Sequence, residues 1–165
     1  GLEVPAVRGA GYNPGWSVVL APVWWFTSDP GVMYRVAIWI GVAVAMITIW
    51  PLSRFVAELG LSVTQSVTVA AVVMTMPSRA LQSDYALSEK LLFLLVVCSF
   101  LVAWRLWERP SWWRAVLFSV LIAAVLFTHV RMAPMTAAAG LWLVLFNPLV
   151  LSFLAADPPS VWEFD

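Results

Sequence analysis

The sequence predicts an all-α fold, a polytopic membrane helical bundle of about five spanning helices plus one short interfacial helix. Three observations predict it. Of the 165 residues, 62% are hydrophobic and only 11% are charged, whereas a soluble domain carries about a quarter charged residues. Eleven tryptophans are present, and tryptophan collects where a membrane meets water. The apolar residues fall in runs near the roughly 20 residues that a helix needs to cross a bilayer core. The formal net charge is zero, so the basic excess of a nucleic-acid-binding surface is missing and no nucleic-acid partner is expected. The one cysteine, Cys98, lies inside an apolar run and reads as a small buried apolar residue with no internal disulfide.

The elements follow in chain order, as one transmembrane module over residues 1–165. Residues 1–31 read as an external loop and interfacial helix. The opening "GLEVPAVRGAGYNPG" is punctuated by proline and glycine and shows no charged-then-apolar leader pattern. The chain is expected to be a fragment of a larger protein. The apolar segment at about residues 16–26 is too short to cross alone and contains Pro22, so it is expected to lie in the interface. Five spans occupy residues 32–156. The first covers about 32–50, and the second covers about 61–76, rich in Ser, Thr and Val. The third covers about 89–107 and the fourth about 112–128. The fifth covers about 132–155, with Asn147 and Pro148 as an expected kink. Residues 157–165 form a tail.

Orientation comes from the short connections. "WRLWERPSWWR", between the third and fourth spans, holds Arg105, Arg109 and Arg114 against one acid, Glu108. Positive residues in a short loop favour the cytoplasmic side. The connection with Arg54 and Glu58 is expected on that side too. The segment at 16–26, the connection with Arg79, Asp84 and Glu89, and the connection with His129 and Arg131 then share the external side. Ionisable groups at the mouth of a membrane helix mark sites more often than they do on a soluble surface. The plainer alternative is that they reach to headgroups and anchor helix ends. Lys90 and Arg79 are expected to do so, while Glu89, beside a long apolar run, is a site candidate.

The order of motifs resembles a known family. "YNPGWSVVLAPVWWF" comes first, followed by a span ending in "WPLSRFVAELGLS". Then come "YALSEKLLFLL", the basic "WERPSWWR" and a span ending in "LFTHVRMAP". Together, over about residues 12–134, they resemble the amino-terminal membrane module of the GT-C class of lipid-linked-sugar glycosyltransferases. That class includes the protein mannosyltransferases and the aminoarabinose transferase of bacterial lipid A. The resemblance implies an activity: a sugar passes from a polyprenyl-phosphate donor to an acceptor hydroxyl, and the carrier leaves as a phosphate. It also implies roles. Ser88-Glu89-Lys90-Leu91-Leu92-Phe93 matches the class pattern of an acid followed by apolar residues, with Lys90 in place of the usual proline. Glu89 is the first catalytic candidate and Asp84 the second. His129 and Arg131 stand where the class carries a cation for the lipid phosphate, and Arg is the better phosphate partner. A lone His at a helix end is more often a structural hydrogen-bonder than a ligand. Tyr12, Pro14 and Trp16 belong to the expected substrate loop. The class also carries an acid upstream of the Tyr-Pro-Gly motif, and Glu3 matches it neither by motif nor by distance.

A divalent metal held by carboxylates would suit the chemistry, but no Cys/His cluster points to zinc and no glycine-rich phosphate loop is present. The expected partners are membrane lipid, the lipid-phosphate sugar donor and other membrane subunits. The expected location is a multi-pass position in a membrane, the plasma membrane in a bacterium or archaeon. Two other readings compete. One is a non-catalytic membrane subunit or scaffold, suggested by the small-residue stretch "MTAAAG". The other is part of a transporter, against which no acid or base falls in the middle of an expected span.

Overall fold

The computed structural model describes residues 14–76 and 88–146. Every element among them is helical. A short helix α1 (Pro14–Leu20) runs into a 3-10 helix (Ala21–Trp25), and α2 (Pro30–Glu58) follows. Then come α3 (Val63–Thr75), α4 (Glu89–Glu108) and α5 (Trp112–Thr128). A 3-10 turn (Val130–Met132) leads to α6 (Ala133–Phe146).

Local chemistry fixes the helix ends. Asp29 caps α2, its Oδ1 accepting from the amides of Gly31 at 2.7 Å and Val32 at 3.4 Å, and Pro30 supplies a pre-set φ at the first helical position. The other end of α2 turns through Gly60, whose φ of +94° lies in the left-handed region. Ser62 then opens α3 with a capping box: its Oγ accepts from the Gln65 amide, and Gln65 Oε1 accepts from the Ser62 amide at 3.0 Å.

By length, the described helices meet the expectation of about five spans only in part. Two of the described helices, α2 and α4, are long and apolar enough to cross a membrane. At 1.5 Å rise per residue, α2 is about 43 Å long and α4 about 30 Å. Helices α3, α5 and α6 have 13, 17 and 14 described residues, or about 20, 25 and 21 Å. Asn147 and Pro148 lie outside the described residues. The first span is corrected at its end, because α2 does not stop near Trp50 but continues through Pro51 to Glu58. A proline inside a helix removes one hydrogen bond, whereas ending the helix there strands up to about four carbonyls. In an apolar medium the second loss is the greater. Hydroxyls flank the break: Thr48 donates to the Val44 carbonyl at 2.7 Å and Ser53 to the Trp50 carbonyl at 2.9 Å. Arg54 and Glu58 therefore ride on the last turns of α2 rather than in a loop.

Helices α2 and α4 pack side by side and parallel. Gly41 of α2 faces Lys90 of α4, the Phe55 and Phe100 rings lie 6.1 Å apart, and Glu58 pairs with Arg105. Leu52, Val56, Ala70 and Val97 form one buried cluster joining α2, α3 and α4. Leu106, Phe118 and Ile122 form a second, against which Met135 and Trp142 of α6 pack. Among the described residues, the buried polar side chains Thr48, Ser66, Ser99 and Thr128 each donate to the carbonyl four residues before them. Only 28% of the apolar stretch of α2, and of that of α4, is buried within the bundle. The core helices of a soluble protein are mostly buried, and the surface here, with Trp39, Met46, Ile47 and Phe100 exposed, suits lipid better than water.

Two glycines separate a conformational requirement from a dispensable one. Gly60→Ala forces a side chain into a left-handed φ and is expected to lower the unfolding free energy by about 1 kcal/mol. A Cβ on Gly140, inside α6, meets nothing within 4 Å, so Gly140→Ala is expected to raise it by about 0.5–1 kcal/mol. Reversible unfolding in mixed detergent micelles measures both; the same sign for the two variants contradicts this assignment.

Candidate functional site

Three chain segments meet at the end of the bundle where α4 begins. Helix α5 packs antiparallel to α4 after a three-residue connection, so its last residue, Thr128, and its cap, His129, reach the end that holds Glu89. Helix α1 docks there too. A Cβ on Gly15 would lie 2.7 Å from both Cα and Oγ1 of Thr128, so only glycine allows this approach. Pro14 and Trp16 of the expected substrate loop flank that contact, Pro14 exposed and Trp16 half-buried. Tyr12 and Asp84 lie outside the described residues.

Glu89 is the first residue of α4, where a negative charge suits the positive end of the helix dipole. It is only partly exposed, and its Oε2 is buried with no hydrogen-bond partner among the described residues. Unpartnered buried oxygens are uncommon and call for a reason. His129 is half-buried in extended backbone between α5 and the following 3-10 turn. Arg131, in that turn, is exposed. The structure thus gathers Glu89, His129, Pro14 and Trp16 towards one end of the bundle, with Arg131 beside them on the chain.

Lys90 corrects the expectation of a side chain reaching outward to headgroups. Its Cδ and Nζ lie 3.0 Å from where a Cβ of Gly41 would stand, so its stem lies against the bare backbone of α2. Gly41 is six residues beyond Arg35 on α2, about 9 Å along the axis. The Lys90 stem therefore meets α2 about 9 Å in from Arg35 along its axis. Sequence inspection missed this contact, because the offset between two helices far apart in the chain is set by packing. The small residues Ala37, Gly41 and Ala45 on one face of α2 are the available signal.

The opposite end carries a different constellation. Arg105 Nε and Nη2 donate to Glu58 Oε1 at 3.1 and 2.9 Å. Arg114 Nη1 donates to the carbonyl of Arg105 at 3.4 Å and to that of Arg109, so it closes the C-terminal end of α4. Among the described residues no three His, Cys, Asp or Glu side chains gather as a metal-ligand set, and no step is assigned to a metal. The chain matches no protein-family profile, no curated protein sequence and no solved structure.

The two close glycine contacts respond differently to a methyl group. Gly15→Ala meets backbone that cannot swing away, a clash of about 1–3 kcal/mol. Amide hydrogen exchange of residues 14–20 is expected to rise about tenfold or more. Gly41→Ala meets only the flexible end of Lys90, and exchange in residues 14–20 is expected to stay unchanged. Equal exchange in the two variants contradicts the docking of α1 on Thr128.

Proposed function

We propose that the chain is the membrane module of a glycosyltransferase that moves a sugar from a polyprenyl-phosphate carrier to an acceptor at the external or lumenal face. One observation carries most of the weight: Glu89, at a helix mouth, keeps a carboxylate oxygen buried without a partner among the described residues. The motif order resembling the GT-C class supplies the reaction. The acceptor oxygen attacks the anomeric carbon, the bond from that carbon to the phosphate oxygen breaks, and the phosphate leaves with the electron pair. Glu89 takes the acceptor's proton. Arg131 and His129, at the same end, meet the charge that gathers on the leaving phosphate. The polyprenyl tail stays in lipid, so the chemistry has to sit at a helix mouth.

The proposal includes a multi-pass topology of five crossings. Parallel α2 and α4 support it, because two parallel crossings need the chain between them to return through the membrane. Helix α3 starts that return, α5 runs back along α4, and α6 packs against α5 and Trp107 on the way to the Arg105 end. The arginines at that end favour the cytoplasmic side; in a bacterium or archaeon the membrane is the plasma membrane. A second reading, a non-catalytic membrane subunit, is favoured by one feature of α6. Ala137, Ala138 and Gly140 are exposed on it, the small surface that a further helix can approach closely.

Sugar transfer in membranes that contain the intact protein separates the two. Glu89→Gln keeps the shape and removes the charge, and transfer is expected to fall by on the order of 10²-fold or more. Arg131→Ala is expected to weaken donor binding by about tenfold or more, the loss of one charge-assisted phosphate contact. Ser119→Ala, which trims an exposed hydroxyl on α5, is the control and should transfer normally. Wild-type transfer by Glu89→Gln, with the protein folded, rejects the catalytic role and favours the subunit.

A further inference from the structure

Two cavities occupy the bundle between its middle and the end remote from Glu89. One, of about 560 Å³, is apolar and is walled by α2, α4, α5 and α6, with Trp104, Trp107, Phe118, Ala138 and Trp142 among its walls. The other, of about 310 Å³, is charged and lies between Glu58, Arg105, Glu108, Arg109 and Arg114. The two linings continue along the same helix faces. Trp104 and Glu108 are one turn apart on α4, and Arg114 and Phe118 are one turn apart on α5. The charged cavity has three arginines against two glutamates, and Glu58 is already taken by Arg105. Positive charge is therefore in excess where the apolar cavity begins. Two further donors stand at this end. Trp104 Nε1 is buried with no partner among the described residues. Ser111, the N-cap of α5, makes no side-chain hydrogen bond to the amides that follow it.

From this juxtaposition we propose that the Arg105 end of the bundle binds a lipid with an anionic phosphate headgroup, the phosphate on Arg109 and Arg114 and the acyl chains in the tryptophan-lined cavity. Charge complementarity chooses the headgroup: a zwitterionic lipid brings its own cation to a place that already has an excess of them. The apolar volume chooses a lipid over a soluble phosphate, which would leave the larger cavity unfilled. Basic recesses between membrane helices suit such headgroups on the cytoplasmic side. The site lies at the opposite end from Glu89 and does not depend on sugar transfer, so its test reads lipid binding alone.

The experiment uses the full chain in mild detergent, titrated with phosphatidylglycerol or phosphatidylcholine of identical acyl chains, and counts bound lipid by native mass spectrometry. Phosphatidylglycerol is expected to bind about fivefold tighter or more, the effect of one arginine near a headgroup. Arg109→Gln alters an exposed side chain and is expected to bring that ratio to about one. Ala138→Phe places a ring in the apolar cavity from an exposed position and is expected to weaken both lipids, with helix content unchanged by circular dichroism. Inorganic phosphate at the same concentration should not displace phosphatidylglycerol. Equal binding of the two lipids, a preference that survives Arg109→Gln, full binding to folded Ala138→Phe, or displacement by inorganic phosphate each overturns the proposal.

Discussion

The parallel contact between α2 and α4 is the one on which the rest of the bundle depends. Its register is pinned at three levels: Gly41 against Lys90, Phe55 against Phe100, and Glu58 against Arg105. A slip of one turn, about 5.4 Å, would move Lys90 from Gly41 to Ala37 or Ala45, where a methyl group fills the space its stem uses. The same slip would separate Glu58 from Arg105. Because the two helices are parallel, the intervening chain has to travel back, which makes α3 the partner of α2. Because α4 starts near Gly41, the first three turns of α2 project past it.

The way the buried polar groups are satisfied explains how such a bundle holds together with so little enclosed core. Thr48, Ser66, Ser99 and Thr128 all bond within their own helices. None of them ties one helix to another, so cohesion rests on close packing and on the few contacts at the ends. Ala70 and Ser66, both almost fully buried, let α3 approach α2 closely, and Gly15 does the same for α1 against Thr128. The Arg105–Glu58 pair is partly exposed, and an exposed pair contributes at most about 1 kcal/mol. Its role is better described as selecting register than as supplying stability.

What the sequence made legible was local. The all-helical class followed from long apolar runs. The start of α4 at Glu89 and both limits of α5, Trp112 and Thr128, agree with the expected spans, because charge, Pro110 and the polar "THVR" stretch mark them. The short segment before α2 resolves into seven residues of α-helix and five of 3-10 helix, shorter than a crossing needs. The misreadings were of two kinds. The first span was expected to end near Trp50, whereas α2 continues through Pro51 to Glu58, because stopping there would strand carbonyls. Lys90 was given a reach to the headgroups, since nothing near it in the sequence shows that Gly41 lies beside it. The Glu58–Arg105 pair spans 47 residues, and only the register of α2 on α4 could have revealed it. For the candidate site, the residue types at the Glu89 end were legible, but the contact of Lys90 with α2 and the docking of α1 were not.

The two ends of the bundle differ in how they treat charge, and the difference bears on what Glu89 is for. At the Arg105 end, arginine and glutamate meet each other or open into a wide cavity, and the helix end is closed by Arg114. At the other end a carboxylate oxygen is enclosed without a partner among the described residues. As an anchor, an acid in the first turn of a helix gains about 0.3–1 kcal/mol from the dipole. Enclosing an unsatisfied polar atom costs about 1–3 kcal/mol. The second figure is at least as large as the first, so the helix dipole by itself does not offset the enclosed oxygen. On the proposed glycosyltransferase reading the enclosed oxygen has a use, since it is an acceptor left open to an arriving hydroxyl. Stability is given up at the helix mouth towards which α1, α4 and α5 converge, the place where the proposed reaction would need its acceptor.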